Sequence, residues 1–160
     1  MNSKDNELRN EQVAETFLLE EFMPFQFSVV ANRVSQSIAR VISRKFDLQI
    51  PEWRILTVLQ KFSPCSALFL AEKTAMDPAR VSRAQQRLSD LRLLTARQDP
   101  QDKRRLIVDL TPKGREIALA LQPDAMAIER ELLGCLTDAE KRALETIMSK
   151  LFNETEHLLK

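Results

Sequence analysis

This sequence predicts a mainly α protein with one small antiparallel sheet of two or three strands, and three observations carry that prediction. Two glycines and no tyrosine in 160 residues leave long segments rich in Leu, Ala, Glu, Arg and Lys, residues that lose little on entering a helix. Those segments carry apolar residues at spacings of three and four, the stripe of an amphipathic helix. One stretch, Leu94 to Leu110, breaks that period with β-branched residues around a turn rich in Asp, Pro and Gln. At this length the chain forms one domain, or one domain with appended helices, and can bury a real core.

In chain order, residues 1–20 are polar and acidic and read as a loose arm. From Phe25 to Phe46, Val30, Val34, Ile38, Val41, Ile42 and Phe46 form the stripe of a helix of about six turns. Pro51 suits the first position of a second helix, because its missing N–H has no partner there anyway. That helix, Pro51 to Phe62, is apolar on most of its circumference through Trp53, Ile55, Leu56, Val58 and Leu59, and Ser63-Pro64 ends it. Ala67 to Ala75 reads as a short helix with Leu68, Leu70 and Ala71 facing inward.

Asp77-Pro78 then starts a further helix: the carboxylate accepts from free amides and the proline takes the first turn. Val81, Ala84, Leu88 and Leu91 make its buried stripe. Two short helices across a tight Met76-Asp77 turn are a helix-turn-helix, and the hairpin that follows is then a wing. Thr111-Pro112 repeats the cap-and-proline device and opens a helix ending near Gly134, with Pro123 expected to break or bend it. Thr137-Asp138-Ala139-Glu140 is a capping box before a last helix striped by Leu144, Ile147, Met148, Leu151, Phe152, Leu158 and Leu159. A second subunit is the economical cover for so long a stripe.

The net charge of +1 hides an asymmetry. Residues 78–115 carry ten Lys or Arg against four Asp, a local +6, whereas residues 1–23 and 116–160 each stand at −4. A basic centre between acidic ends points to a polyanion at the centre and to protein or solvent at the ends. Two cysteines give no disulfide framework and nothing at the N-terminus resembles an export signal, so the chain is expected in the cytoplasm with reduced thiols. No apolar run approaches the roughly 20 residues that cross a bilayer, and no membrane partner is expected. One histidine (His157), no Gly-rich phosphate loop and no metal-ligand spacing argue against an enzyme and against any cofactor or metal.

The helix order, Ser82-Arg83 with Arg87-Leu88, and above all Asp99-Pro100-Gln101-Asp102-Lys103-Arg104 running into Val108-Asp109-Leu110-Thr111-Pro112-Lys113-Gly114-Arg115 resemble the MarR (multiple antibiotic resistance regulator) family of bacterial transcription factors. The likeness covers roughly residues 25–155. It implies a winged helix-turn-helix DNA-binding domain over 51–110, and a dimerisation region built from 21–48 and 111–160. It also implies an obligate homodimer on a pseudo-palindromic double-stranded DNA operator. Repression relieved by a small effector, often aromatic or phenolic, in a cleft is part of the same implication. Two positions depart from the family pattern: Arg92 stands near a usual Gly, and Ile50 where a Ser or Thr cap is usual, so a weaker helix start is expected there.

On the helix from Pro78 to Leu91 the N-terminal and outward positions are Ala79, Arg80, Ser82, Arg83, Gln86 and Arg87. Arg pairs in bidentate fashion with guanine and Gln with adenine, each such pair discriminating by about 1 to 3 kcal/mol. Arg80 and Arg83 lead as base readers or phosphate anchors, with Ser82, Gln86 and Arg87 behind them; the competing reading, a solvated helix face, is weakened by their clustering with the wing. At the wing tip Arg104 is the expected minor-groove finger. Asp102 either orients that arginine or is a simple turn residue, while Lys103 and Arg105 are candidates for phosphate.

For the effector, Phe25 and Trp53 offer aromatic surface and Arg33 or Arg40 a fork for a carboxylate. A lone Trp on an apolar helix is more often core, and an arginine there is as readily structural. Two other readings stay open: a thiol-based redox sensor using Cys65 or Cys135, though neither sits beside a base, and a dimeric ligand-binding or protein-interaction module without DNA binding, against which the +6 segment stands.

Overall fold

The structure, a computed structural model, describes residues 17–103 and 105–158, so most of the predicted N-terminal arm, Arg104 and Leu159 lie outside the described residues. The chain divides into two compact units, residues 1–36 and 37–160. In the first, a 3-10 turn (Leu19–Glu21) leads into helix α1 (Met23–Phe46), and the Gln26 amide donates to the Glu20 carbonyl at 2.8 Å. Phe22, Phe25, Phe27 and Val30 of this unit are exposed.

The second unit begins within α1, whose Ile42 is buried. Helix α2 (Ile50–Phe62) lacks a Ser or Thr cap, yet Glu52 supplies its own remedy: the carboxylate accepts from the Gln49 N–H at 2.6 Å. The expected weak start is therefore not found. Ile55, Leu56 and Leu59 of α2 are buried, and α2 packs against three further helices: α3 (Ala67–Thr74), α4 (Pro78–Asp90) and α5 (Pro112–Leu133). Burying each such side chain is worth about 1.5 to 3 kcal/mol. In α3 Leu70 is fully buried but Leu68 is 77% exposed, against expectation. Two residues along a helix are roughly 200° apart, so once Leu70 takes the core the face of Leu68 must be outward.

Both ends of the helix-turn-helix close without glycine. Ala75 adopts φ 52 after α3, and Met76 N bonds back to Ala71 O at 3.2 Å. Arg92 adopts φ 58 after α4, where Arg92 N reaches Ser89 O at 2.8 Å and Leu93 N reaches Leu88 O at 2.9 Å. These paired return bonds are the left-handed helix stop in which glycine is usual. Between them α4 starts as predicted, Asp77 accepting from Arg80 N at 2.8 Å, and buries Val81, Ala84 and Leu88.

The wing is β2 (Leu94–Gln98) paired antiparallel with β3 (Leu106–Leu110), in register Ala96 to Val108. A third strand, the two-residue β1 (Cys65–Ser66), pairs Cys65 with Val108 on the other edge of β3. Of the two or three strands expected, three form. Thr111 then caps α5, its Oγ1 accepting from Gly114 N at 2.9 Å and donating to Arg92 O at 2.8 Å. Gly114 is required by close approach, since a Cβ there would lie 2.0 Å from Leu93 O.

Of the break or bend expected at Pro123, no break forms: helix α5 is continuous through it. The carbonyl that loses its partner belongs to Leu119, an exposed residue, where water can replace the missing N–H. Helix α6 (Asp138–Leu158) opens on the predicted box: Thr137 N donates to Glu140 at 2.7 Å and Glu140 N to Thr137 Oγ1 at 3.3 Å. The Thr137 N–H, and after it the Thr137 hydroxyl, donate to the Glu140 carboxyl and hold its pKa below the usual value. No helix among the described residues is long and apolar enough to cross a membrane.

Candidate nucleic-acid interface

The outward face of α4 is a row of exposed side chains: Ala79, Arg80, Ser82, Arg83 and Gln86. The row faces out because Val81, Ala84 and Leu88 are drawn into the core at the complementary positions. Neither Arg80 nor Arg83 is engaged by another side chain among the described residues, so two guanidinium forks stand ready for an anion. Gln86 is steadied by Asp90, its Nε2 donating at 2.8 Å, which leaves the amide oxygen free to accept. Arg80, Arg83 and Ala84 also border a cleft of about 280 Å³, whose other wall is the start of α2 at Gln49, Pro51 and Glu52.

Arg87 is different from the rest of the predicted set. It is half-buried, its Nη2 donates to the Asp47 carbonyl at 2.9 Å, and its Nε lies 3.4 Å from Glu52 Oε1. The Nε contact is at ion-pair distance without hydrogen-bond geometry. Glu52 is 3% exposed, and leaving such an acceptor unpaired costs on the order of 2 kcal/mol. Sequence reasoning missed both partners of Arg87; the Gln49-to-Glu52 spacing of a capping box was the available signal for Glu52, and nothing marked Asp47.

At the wing, Lys103 and Arg105 are exposed, and Asp102 lies 3.3 Å from Arg105 Nε. Its expected partner Arg104 falls outside the described residues. The base of the wing is held by Asp109, which accepts from Ser63 Oγ and from Leu110 N at 2.7 Å and lies 3.6 Å from Arg115. The wing is thereby fastened to the ends of α2 and α5. Burial, with the Asp109 carboxylate adding to it, pushes the Cys65 thiol up to about 11, the opposite of what a reactive thiol needs. Cys135 is exposed and its Sγ donates to Leu132 O at 3.4 Å.

The residues named for an effector are distributed over the two units: Phe25 and Arg33 belong to the first, Arg40 and Trp53 to the second. Trp53 is half-buried and packs against the core, as the bland reading had it, and Arg40 is exposed.

A three-stranded wing behind a helix-turn-helix with an exposed basic row defines the class, a winged-helix protein. Comparison with known proteins shows which regulators it resembles. The MarR family model matches residues 46–105. The transcriptional repressor NicR of Pseudomonas putida is 30% identical over 102 residues, covering 64% of this chain and 65% of that protein, so the chain spans just under two thirds of that relative's length. A MarR/EmrR family regulator from Acinetobacter sp. ADP1 superposes with a TM-score of 0.81 at 27% identity, over 88% of this chain and 99% of that one. The structure of Bordetella bronchiseptica BpsR, whose DNA binding is regulated by 6-hydroxynicotinic acid, gives a TM-score of 0.78 at 27% identity, over 84% and 96% of the two chains. The chain is thus similar, in its winged helix-turn-helix and in its overall fold, to transcriptional regulators of the MarR family.

Proposed function

We propose that this chain is a ligand-responsive transcriptional repressor that binds a pseudo-palindromic double-stranded DNA operator as a homodimer. The observation that carries the reading is the exposed row on α4, in which the Arg80 and Arg83 side chains have no partner among the described residues and Ala79, Ser82 and Gln86 stand beside them. A major groove about 12 Å wide accepts one helix, and a row at its N-terminal half is what meets base edges. Lys103, Arg104 and Arg105 at the wing tip take the adjacent phosphates and minor groove, with Asp102 ordering the turn. The apolar stripe of α6 is the surface that a second copy covers, since Ile147, Met148 and Phe152 are exposed in the single chain.

For the effector, the likeness to BpsR supports an aromatic acid, whose carboxylate suits an arginine fork and whose ring suits aromatic surface. The test is titration of a labelled duplex from upstream of the chain's own gene at several salt concentrations. Wild-type protein binds with a steep salt dependence; Arg83→Ala weakens binding, and Arg104→Ala also lowers the slope of log K against log salt by about 0.9. Addition of 6-hydroxynicotinic acid releases the duplex. Binding that ignores both substitutions would end the reading.

A further inference from the structure

We propose that Arg87 is a positioning residue for α4 rather than a DNA contact, a strut that sets the recognition helix against the junction of α1 and α2; the proposal rests on the DNA-binding reading of α4. One guanidinium joins three places. It leaves α4 half-buried, donates from Nη2 to the carbonyl of Asp47 at 2.9 Å with Asp47 Oδ2 at 3.4 Å, and brings Nε to 3.4 Å from Glu52 Oε1. Asp47 is the residue at which the chain turns between α1 and α2, with φ 52. Glu52 is 3% exposed and already accepts the Gln49 N–H, so its charge is met by one amide and one arginine.

Were Arg87 to swing out to a phosphate, the buried Glu52 carboxylate would lose its one cationic partner among the described residues just as the DNA brought more negative charge close. Arg80 and Arg83 carry no such obligation. The fork geometry matters as well: a carbonyl on one side and a carboxylate on the other are a task for a planar guanidinium, which an ammonium cannot reproduce. Fixing α4 in this way sets the angle at which the row from Ala79 to Gln86 enters the groove, and ties that angle to the end of α1.

The experiment compares Arg87→Gln, Glu52→Gln, the double variant and Arg83→Gln by fluorescence anisotropy, using the upstream duplex and an unrelated duplex at several salt concentrations. Arg87→Gln lowers affinity for the upstream duplex about tenfold with the salt slope unchanged, while affinity for the unrelated duplex, supplied by Arg80 and Arg83, stays near wild type. The double variant regains most of the loss because no unpaired charge remains. Arg83→Gln flattens the slope by about 0.9 and is not rescued by Glu52→Gln. A slope lowered by about 0.9 in Arg87→Gln, with no rescue, overturns the strut. If wild-type protein binds neither duplex, the DNA reading fails by itself; the strut then stands or falls on thermal unfolding, where Arg87→Gln and Glu52→Gln must be non-additive. Should Arg87→Gln not fold, Arg87→Lys replaces it: about threefold weaker binding at unchanged slope supports the strut, and full wild-type affinity contradicts it.

Discussion

Helices α4 and α6 have the same kind of sequence and opposite fates. Each carries an apolar stripe at helical spacing against a charged face, and each opens on a side-chain cap. In α4 the stripe of Val81, Ala84 and Leu88 is at most 4% exposed, whereas α6 leaves Ile147 at 52% and Phe152 at 68%. The stripe of α4 is answered by α2, α3 and the wing, so its charged face is pointed outward with a fixed orientation. That of α6 is left exposed among the described residues. An amphipathic pattern therefore predicts that a face will be covered, and the packing decides whether this chain or another covers it.

The largest effect expected tests the rigid side of the contrast. Gly114→Ala, which drives a Cβ against Leu93 O, destabilises by roughly 3 to 5 kcal/mol in urea unfolding, and Gly134→Ala, whose Cβ would sit 3.2 Å from Arg130 O, by far less. Next, Leu88→Ala costs about 2 to 5 kcal/mol at any protein concentration. Leu151→Ala in α6 should instead act through association: its melting temperature falls more steeply on dilution than that of wild type. Equal, concentration-independent losses from the two leucines would erase the distinction between the helices.

Arg92→Gly releases the side chain from a left-handed position and raises stability by about 1 kcal/mol, readable as a higher urea midpoint with unchanged slope. The smallest effect concerns pH. The folded-state pKa of Cys65 lies above its ordinary value, so the contribution from keeping that thiol protonated is fully present below about pH 9 and is lost as pH rises through about 11. Cys65→Ser should remove that part of the alkaline destabilisation, and in wild-type protein at pH 8 alkylation should label Cys135 well before Cys65.

Much of this contrast was legible in the sequence, because its signals are local. The caps at Asp77, Thr111 and Thr137 each depend on residues within three positions, and all three form as read. The outward row of α4 follows from the helical period alone. What the sequence does not show needs distance information: the helix of Leu68 is too short for the period to choose its face, and the Arg87 bond to Asp47 spans 40 residues. Arg92, near which the resembling regulators commonly carry Gly, left the turn geometry open, and its φ of 58 shows a left-handed stop made without glycine. Strand β1 is two residues long, below what alternation can signal.

The proposed operator binding requires two copies of α4, presented by surfaces that a single chain leaves exposed. Sedimentation of the complex with the upstream duplex tests this most directly. It predicts two 18.4 kDa chains per duplex, and that Ile147→Asp, on an exposed stripe and so compatible with folding, yields a folded monomer with sharply weakened operator binding. One chain per duplex, with affinity undiminished by Ile147→Asp, would contradict it.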